Sequence, residues 1–375
     1  MKVIILGAGL VGAPMAIDLS KDPNLSVTSV DVNENALNGL NKYLINTICS
    51  DLSNPDNIRD LIAGFDIVVN AVPGFMGFET LRTIIESKIN VVDIAFFSED
   101  PFELDELAKK NGVTAIVDCG VCPGMSNILI GHLDKIMELE TIQLYVGGLP
   151  QERVWPFEYK AGFSPADVIE EYVRPARMVE NFKLVSKTAL SEPELMDFDE
   201  IGTLEAFNSD GVRSLIKTIK AKNIVEKTLR YPGHIEKMAV LREIGLFDLQ
   251  EIDVNGKKIR PRDLTAKLLF PMWEMKENDH DLTVLKLIVT GKKNGKELKY
   301  TYDMLDHYDP ETKTTSMART TGYTATAAVR MMEQGLFDRK GICPPEYVGA
   351  EVKCVEFITE KLKERHIVYK ESVEE

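Results

Sequence analysis

The chain has 375 residues, 44% hydrophobic and 27% charged, which are ordinary proportions for a globular protein with room for two domains. Its formal net charge of −15, from 44 Lys and Arg against 59 Asp and Glu, argues against nonspecific binding to nucleic acid or to an anionic membrane. No apolar run approaches the roughly 20 residues of a membrane span, and five cysteines, an odd number in a long chain, point to reduced thiols and a cytoplasmic setting.

Met1 to Leu6 (MKVIIL) have the β-branched, apolar character of a buried strand. Gly7-Ala8-Gly9-Leu10-Val11-Gly12 follows, and Ala13 to Ser20 continue with helical spacing. Strand, G-x-G-x-x-G turn and helix in that order are the context in which the motif means dinucleotide binding. Gly7 serves the tight turn, Gly9 lets the backbone approach a pyrophosphate at the helix N-terminus, and Gly12 lets helix and strand pack closely. Leu10 and Val11 complete the loop. The apolar start is not read as a secretory signal, because its glycines fall where phosphate binding needs them.

A second apolar run, Leu25 to Val30, ends at Asp31, nineteen residues past the last glycine. An acidic side chain at that strand tip hydrogen-bonds the ribose hydroxyls of NAD and repels the 2′-phosphate of NADP, so NAD is the expected cofactor. Asp31 also precedes a helix that it could cap. Strands are expected at Asn46–Cys49, Asp66–Val72, Asn90–Ile94 and Thr114–Val117, and helices at 54–63, Glu79–Ser87 and Pro101–Asn111. The alternation predicts a doubly wound parallel sheet, a Rossmann domain over residues 1–122. Ligands of such sheets lie at the carboxyl ends of the strands. Candidates there are Asp51, for the adenine amine or as a turn residue; Asn70, Val72 and Pro73, beside the middle of the cofactor; and Asp93, Asp118 and Cys119, at its nicotinamide end.

The segment Asp118-Cys119-Gly120-Val121-Cys122-Pro123-Gly124 carries two cysteines at C-x-x-C spacing near a helix start. No second close pair exists to complete a zinc site, so no metal is expected. Two small apolar fillers are the preferred reading over a redox pair.

Residues 123–314 read as an α+β domain with a mostly antiparallel sheet. Thr141–Val146 alternate as a strand that breaks at Gly147-Gly148. Pro165–Tyr172 are helical, and Gly202–Ile219 join a strand-like start to an amphipathic helix. Leu282–Val289 and Glu297–Leu305 flank an Asn-Gly turn as a hairpin. The helix Gly322–Glu333 is rich in small residues, and the region of about 315–345 is a candidate to return to the first domain. The charged tail from about Glu360 reads as frayed. Arg174 and Arg230 are candidate carboxylate binders, and His234 is a candidate proton carrier.

At these residues the chain resembles the saccharopine dehydrogenase family, and within it the NAD-dependent lysine 6-dehydrogenases. The resemblance rests on the glycine loop, Val92-Asp93, Gly120 to Gly124, Tyr159-Lys160 with Ser164-Pro165, Gly202 to Phe207, Ser209-Asp210-Gly211 and Leu229 to His234. It implies a Rossmann domain with a substrate and dimerisation domain, a homodimer or higher homo-oligomer, and oxidation of a C–N bond of an amino acid with hydride passing to NAD(P). In saccharopine-forming relatives the Pro-Gly turn follows an acidic residue. Here Cys122 stands there, which implies a plainer amine, with L-lysine first and saccharopine or carboxynorspermidine-type secondary amines as alternatives. On this reading Arg230, Arg174 and Cys122 contact substrate, and His234 or Asp93 takes the proton. Two rivals are a semialdehyde dehydrogenase using Cys119 or Cys122 as nucleophile, and a non-catalytic NAD-binding subunit.

Overall fold

The computed structural model describes residues 1–276 and 279–375. Two compact units divide the chain, Met1–Ile136 with Ala318–Val368, and Met137–Met317 with Tyr369–Glu375.

In the first unit strands and helices alternate: β1 (Lys2–Leu6), α1 (Gly12–Ser20), β2 (Ser26–Asp31), α2 (Glu34–Asn38), β3 (Ile45–Cys49), α3 (Pro55–Ile62), β4 (Ile67–Asn70), α4 (Gly74–Glu86), β5 (Asn90–Asp93), α5 (Asp105–Asn111), β6 (Thr114–Ile116) and α6 (Met125–Ile136). Val3 to Leu6, Val68, Val69, Val91 and Val92 are fully buried. Such uninterrupted apolar strands are required when helices cover both faces of a parallel sheet. Helix α4 starts at Gly74, ahead of the expected Glu79. Within the helix Gly77 serves packing, since a Cβ on it would lie 2.7 Å from Ala95 and Phe97.

The second unit continues with β7 (Glu138–Pro150), α7 (Pro165–Val173), β8 (Ala176–Glu180), β9 (Lys183–Lys187), β10 (Glu194–Phe198), β11 (Gly202–Asn208), α8 (Leu215–Thr218), β12 (Asn223–Arg230), α9 (His234–Glu243), β13 (Ile252–Val254), β14 (Lys257–Ile259), α10 (Pro261–Trp273), β15 (Asp281–Lys293) and β16 (Lys296–His307). Its large sheet is mostly antiparallel, with β7 parallel to β12 and antiparallel to β15. Strand β7 does not break at Gly147-Gly148. A Cβ there would meet Leu229 at 2.8 Å and Met317 at 2.4 Å, so these glycines serve close packing within a continuous strand.

The amphipathic helix expected before Ile219 shrinks to the four residues of α8. Residues 209–214 instead form a turn held by buried Glu226, whose Oε2 accepts from Ser209 Oγ at 2.8 Å and from the Gly211 amide at 3.0 Å. Burial pushes this carboxyl up to about 8, and the Glu171 charge adds to the rise.

The chain then runs through α11 (Ser316–Glu333), β17 (Gly341–Cys343), α12 (Pro345–Gly349), α13 (Val352–Lys363) and β18 (Lys370–Glu374). Strand β17 adds in parallel beside β6, giving a seven-stranded first sheet in the order β17-β6-β5-β4-β1-β2-β3. The charged tail, expected to fray, ends in β18, which pairs with β16 in the nine-stranded second sheet. Backbone contact locks α12 onto α6: a Cβ on Gly131 would lie 2.1 Å from the Glu346 carbonyl, and one on Gly349 would lie 2.0 Å from that of Ile128.

One carboxylate joins α1 to the returning segment. Asp18 accepts from Thr326 Oγ1 at 2.6 Å, from Arg330 Nη1 at 2.8 Å and from Arg365 Nε at 2.8 Å. Burial alone would raise this carboxyl, but the two guanidinium groups overcome it and hold it below its ordinary 3.8. Its contribution to stability is therefore present above the unfolded value and lost as pH falls through the lowered one. Asp18→Asn should destabilise the protein by about 3 kcal/mol at pH 7, because it strands the buried Arg330 and the half-buried Arg365. Thermal unfolding followed from pH 7 down to pH 3 should show the gap to the wild type closing at the acid end. A gap that is small at pH 7 would refute this role.

Candidate functional site

The first sheet reverses direction at β1, which lies between β2 and β4, so the crevice at the carboxyl ends of β1 and β4 is its ligand position. The glycine loop stands there. Gly7 has φ +108°, and a Cβ on it would lie 2.5 Å from the Ala71 carbonyl. A Cβ on Gly12 would lie 2.1 Å from the Gly7 carbonyl, whereas one on Gly9 would meet nothing within 4 Å. Gly7 and Gly12 are thus needed by the fold, and Gly9 borders open space.

Capping separates the helices into two groups. Helices α2 and α3 are capped by Asn33 and Asn54, with Glu34 and Asp56 in their first turns. Helices α1 and α4, which flank the crevice, have Val11 and Pro73 at the N-cap, no side-chain cap bond and no acid in the first turn. In α1 the Ala13 amide donates to the Gly9 carbonyl at 3.1 Å and Pro14 has no N–H, so the Gly12 amide and the positive end of the dipole face outward for an anion; in α4 the Gly74 and Phe75 amides do the same.

Asp31 ends β2 and steadies the loop, with Oδ2 accepting from the Ala8 amide at 2.7 Å and Oδ1 from the Asn33 amide at 2.8 Å. Each oxygen keeps a lone pair for a hydroxyl donor. Asp51 is exposed beyond β3 and forms a turn, with Oδ1 and Oδ2 accepting from the amide and hydroxyl of Ser53, both at 2.8 Å. At the tip of β4, Asn70 is fully buried; its Nδ2 donates to Asp93 Oδ2 at 2.8 Å, while its Oδ1 has no partner among the described residues. An orphaned buried acceptor at the strand tip, the open space at Gly9 and the bare α1 N-terminus together fit a dinucleotide. Leu10 is exposed on the loop and Pro73 is exposed after β4, but Val72 turns its side chain into the core, so only its backbone borders the crevice.

Asp93 is fully buried, its other oxygen accepting from the Ala95 amide at 2.7 Å. This enclosure makes it a holder of Asn70 rather than the proton acceptor expected from its strand-end position. Asp118 is buried with φ +52°. Beside it, burial, reinforced by Asp118 and Asp93, pushes the Cys119 thiol up to about 12. A thiol of that kind is neutral near pH 7, which removes Cys119 as a nucleophile. Cys122 is half-buried, and both cysteines are free thiols.

In the second unit two expected site residues are enclosed. His234 is 1% exposed, with Nδ1 at 2.8 Å from the Phe157 carbonyl and Nε2 at 2.9 Å from the Tyr172 hydroxyl. A carbonyl only accepts, so Nδ1 carries the proton and Nε2 accepts from the tyrosine. Burial, followed by the Arg230 charge, pushes this imidazole down to about 3. It has no proton to exchange near neutrality. Arg230 is 2% exposed, donates to Glu171 Oε2 at 2.6 Å and to the Leu229 carbonyl at 2.9 Å, and lies over the Tyr159 ring at 4.5 Å. Its charge is met inside the fold by Glu171, while its buried Nε has no hydrogen-bond partner among the described residues.

Another cationic group gathers beside the turn that Glu226 holds. Arg177 makes a two-pronged pair with Asp210, each contact at 2.8 Å. Arg174 lies 3.8 Å from Glu170, and its guanidinium is disfavoured first by burial and then by the charge of Arg213. The charges of Glu170 and Asp210 act in the opposite sense, so Arg174 and Arg213 share this corner with two carboxylates. Sequence reasoning missed Arg213; its signal was the adjacent Ser209-Asp210-Gly211 block.

Comparisons with known proteins agree with this architecture. The family model described as saccharopine dehydrogenase NADP binding domain matches residues 3–116, and the saccharopine dehydrogenase C-terminal domain model matches residues 120–368. The mitochondrial alpha-aminoadipic semialdehyde synthase of Rattus norvegicus is 28% identical over 284 residues, which are 72% of this chain but 30% of that protein. The chain therefore spans less than a third of that relative's length. Carboxyaminopropylagmatine dehydrogenase of Synechocystis is 22% identical over 91% of both chains. The structure of apo saccharopine dehydrogenase (L-Glu forming) from Saccharomyces cerevisiae superposes with a TM-score of 0.79 at 19% identity over 100% of both chains, which shows a shared fold. With models of both domains matched end to end, the chain belongs to the saccharopine dehydrogenase family.

Proposed function

We propose that this chain is an NAD-dependent dehydrogenase that oxidises a C–N bond of an amino acid, with the ε-amine of L-lysine as the foremost substrate. The observation that carries the reading is the open space at Gly9 over an uncapped α1, with Asp31 at the neighbouring strand tip. A bound nicotinamide would supply the hydride acceptor. The Gly12 amide with the positive end of the α1 dipole would hold the diphosphate, and Asp31 would accept from the adenosine ribose. Asn70 Oδ1, kept in place by Asp93, would offer an acceptor farther along. Asp31 is followed by Val-Asn-Glu-Asn with no cation to meet a 2′-phosphate, which supports NAD over NADP although the matched family model is named for NADP.

For the substrate, Arg174 and Arg213 would hold the carboxylate, the role first sought in Arg230. The high pKa of the Cys119 thiol disfavours an aldehyde mechanism through that residue. One alternative has its own support: the alignment along 91% of a carboxyaminopropylagmatine dehydrogenase makes a substrate of that type the second to test.

The direct test measures NADH formation with L-lysine, saccharopine and carboxyaminopropylagmatine, with NADP in parallel. Turnover of lysine with NAD supports the proposal; turnover of either conjugate alone rejects lysine as substrate. Arg213→Met should raise the KM for the accepted amine by about tenfold or more, the loss of a charged hydrogen bond, with a smaller change in kcat. An unaltered KM removes Arg213 from the clamp.

Asp31→Ala should lower the NAD-to-NADP ratio of kcat/KM by about tenfold, since the hydroxyl acceptor and the repulsion disappear together. A constant ratio would show that Asp31 only steadies the loop. Gly9→Ala should fold normally and weaken NAD binding by about tenfold, whereas Gly12→Ala should cost stability of about 1–3 kcal/mol through overpacking. Calorimetric binding and thermal melts on both variants distinguish the two glycines; equal losses of stability would contradict the open space at Gly9.

A further inference from the structure

The first unit exposes seven large hydrophobic side chains among its described residues, and four of them gather at one end of the sheet. Leu10 lies in the glycine loop, Val32 directly follows β2, Ile48 is the penultimate residue of β3, and Phe75 is the second residue of α4. Isolated exposed apolar residues need no explanation, but a concentration around a crevice mouth does. Phe75 is the largest of the four and is 83% exposed, although Gly74, Gly77 and Phe78 on the same helix are buried.

Its position is set by backbone contacts. The Ala71 carbonyl fills the space a Gly7 Cβ would take, so the β4–α4 turn rests against the glycine loop. Phe75 follows four residues later, in the first turn of a helix with no side-chain cap. It therefore stands on the β4 side of the crevice, whereas Asp31, Val32 and Ile48 lie on the β2–β3 side. An adenosine ribose held at Asp31 leaves the diphosphate and the second nucleoside to run toward β4.

We propose that Phe75 is a dinucleotide contact whose ring covers the diphosphate and the nucleoside beyond it, away from the adenosine end. This rests on the dinucleotide reading above and adds a residue that neither the glycine motif nor the acidic strand tip identifies. The ring gives apolar cover on one wall, and the Gly12 amide at the start of α1 gives polar contact on the other. A flat apolar wall suits a sugar face or an aromatic base, whose edges find their polar partners elsewhere.

The test is calorimetric titration of the full chain with NAD, ADP-ribose and AMP, for wild type, Phe75→Ala and Phe75→Leu, with melting temperatures recorded for each. Wild type should bind NAD. Phe75→Ala should weaken NAD and ADP-ribose by about tenfold, equivalent to ~1.4 kcal/mol, leave AMP unchanged and keep the wild-type melting temperature. Phe75→Leu should recover most of the loss. Unchanged NAD affinity in Phe75→Ala, or an equal loss for AMP, overturns the proposal while leaving the dinucleotide site intact. Failure of wild type to bind any of the three nucleotides rejects the site itself, and Phe75 with it.

Discussion

The approach of the Gly12 α-carbon to the Gly7 carbonyl is the contact on which the first unit depends. A side chain on Gly12 would occupy the place of that oxygen, 2.1 Å away, so the start of α1 can sit on the end of β1 only because hydrogen stands there. Gly7, at a positive φ that few L-residues tolerate, turns its own bare α-carbon toward Ala71. These two glycines bring β1, α1 and β4 into backbone contact at one point. Asp31 then fastens the loop from a third strand through the Ala8 amide. The crevice is thus shaped by main chain, with side chains tuning what it accepts.

Burial, more than residue type, decides what each titratable group can do. A cysteine beside two carboxylates, a histidine after a glycine turn and an arginine in an Arg-Tyr-Pro-Gly-His block all carry reactive chemistry on paper. Enclosed by the fold, the thiol keeps its proton, the imidazole stays neutral and the guanidinium is neutralised by Glu171. The cost of removing charge from water settles the thiol and the imidazole, whereas the guanidinium keeps its charge because partners such as Glu171 outweigh that cost.

This explains which features were legible in the sequence. Strands β1, β2, β4 and β5 are short apolar runs because both their faces are covered, and that signal is local. The glycine loop and Asp31 announce themselves by spacing. Strand β17 does not, because three residues gain meaning only beside β6, more than two hundred positions earlier. Gly147 and Gly148 read as a break because nothing nearby reveals Leu229 or Met317. The turn that replaces the expected helix before Ile219 is dictated by Glu226, a residue of the following strand. Arg213 takes its place from that turn, so its gathering with Arg174 had no local mark, whereas Arg230, which had one, serves the interior.

The first unit is assembled from two stretches separated by residues 137–317 of the second, and this orders events during synthesis. When the ribosome has made β1 to β6, the edge of β6 is still bare and the Asp18 carboxylate still lacks its guanidinium partners. Those partners, Arg330 and Arg365, lie 312 and 347 residues downstream. The nascent sheet must therefore wait, with an open edge that invites mispairing, while the intervening unit emerges. Closure of the nucleotide fold comes only after residues 341–365 have emerged, and a chain halted before residue 341 lacks the strand that seals it.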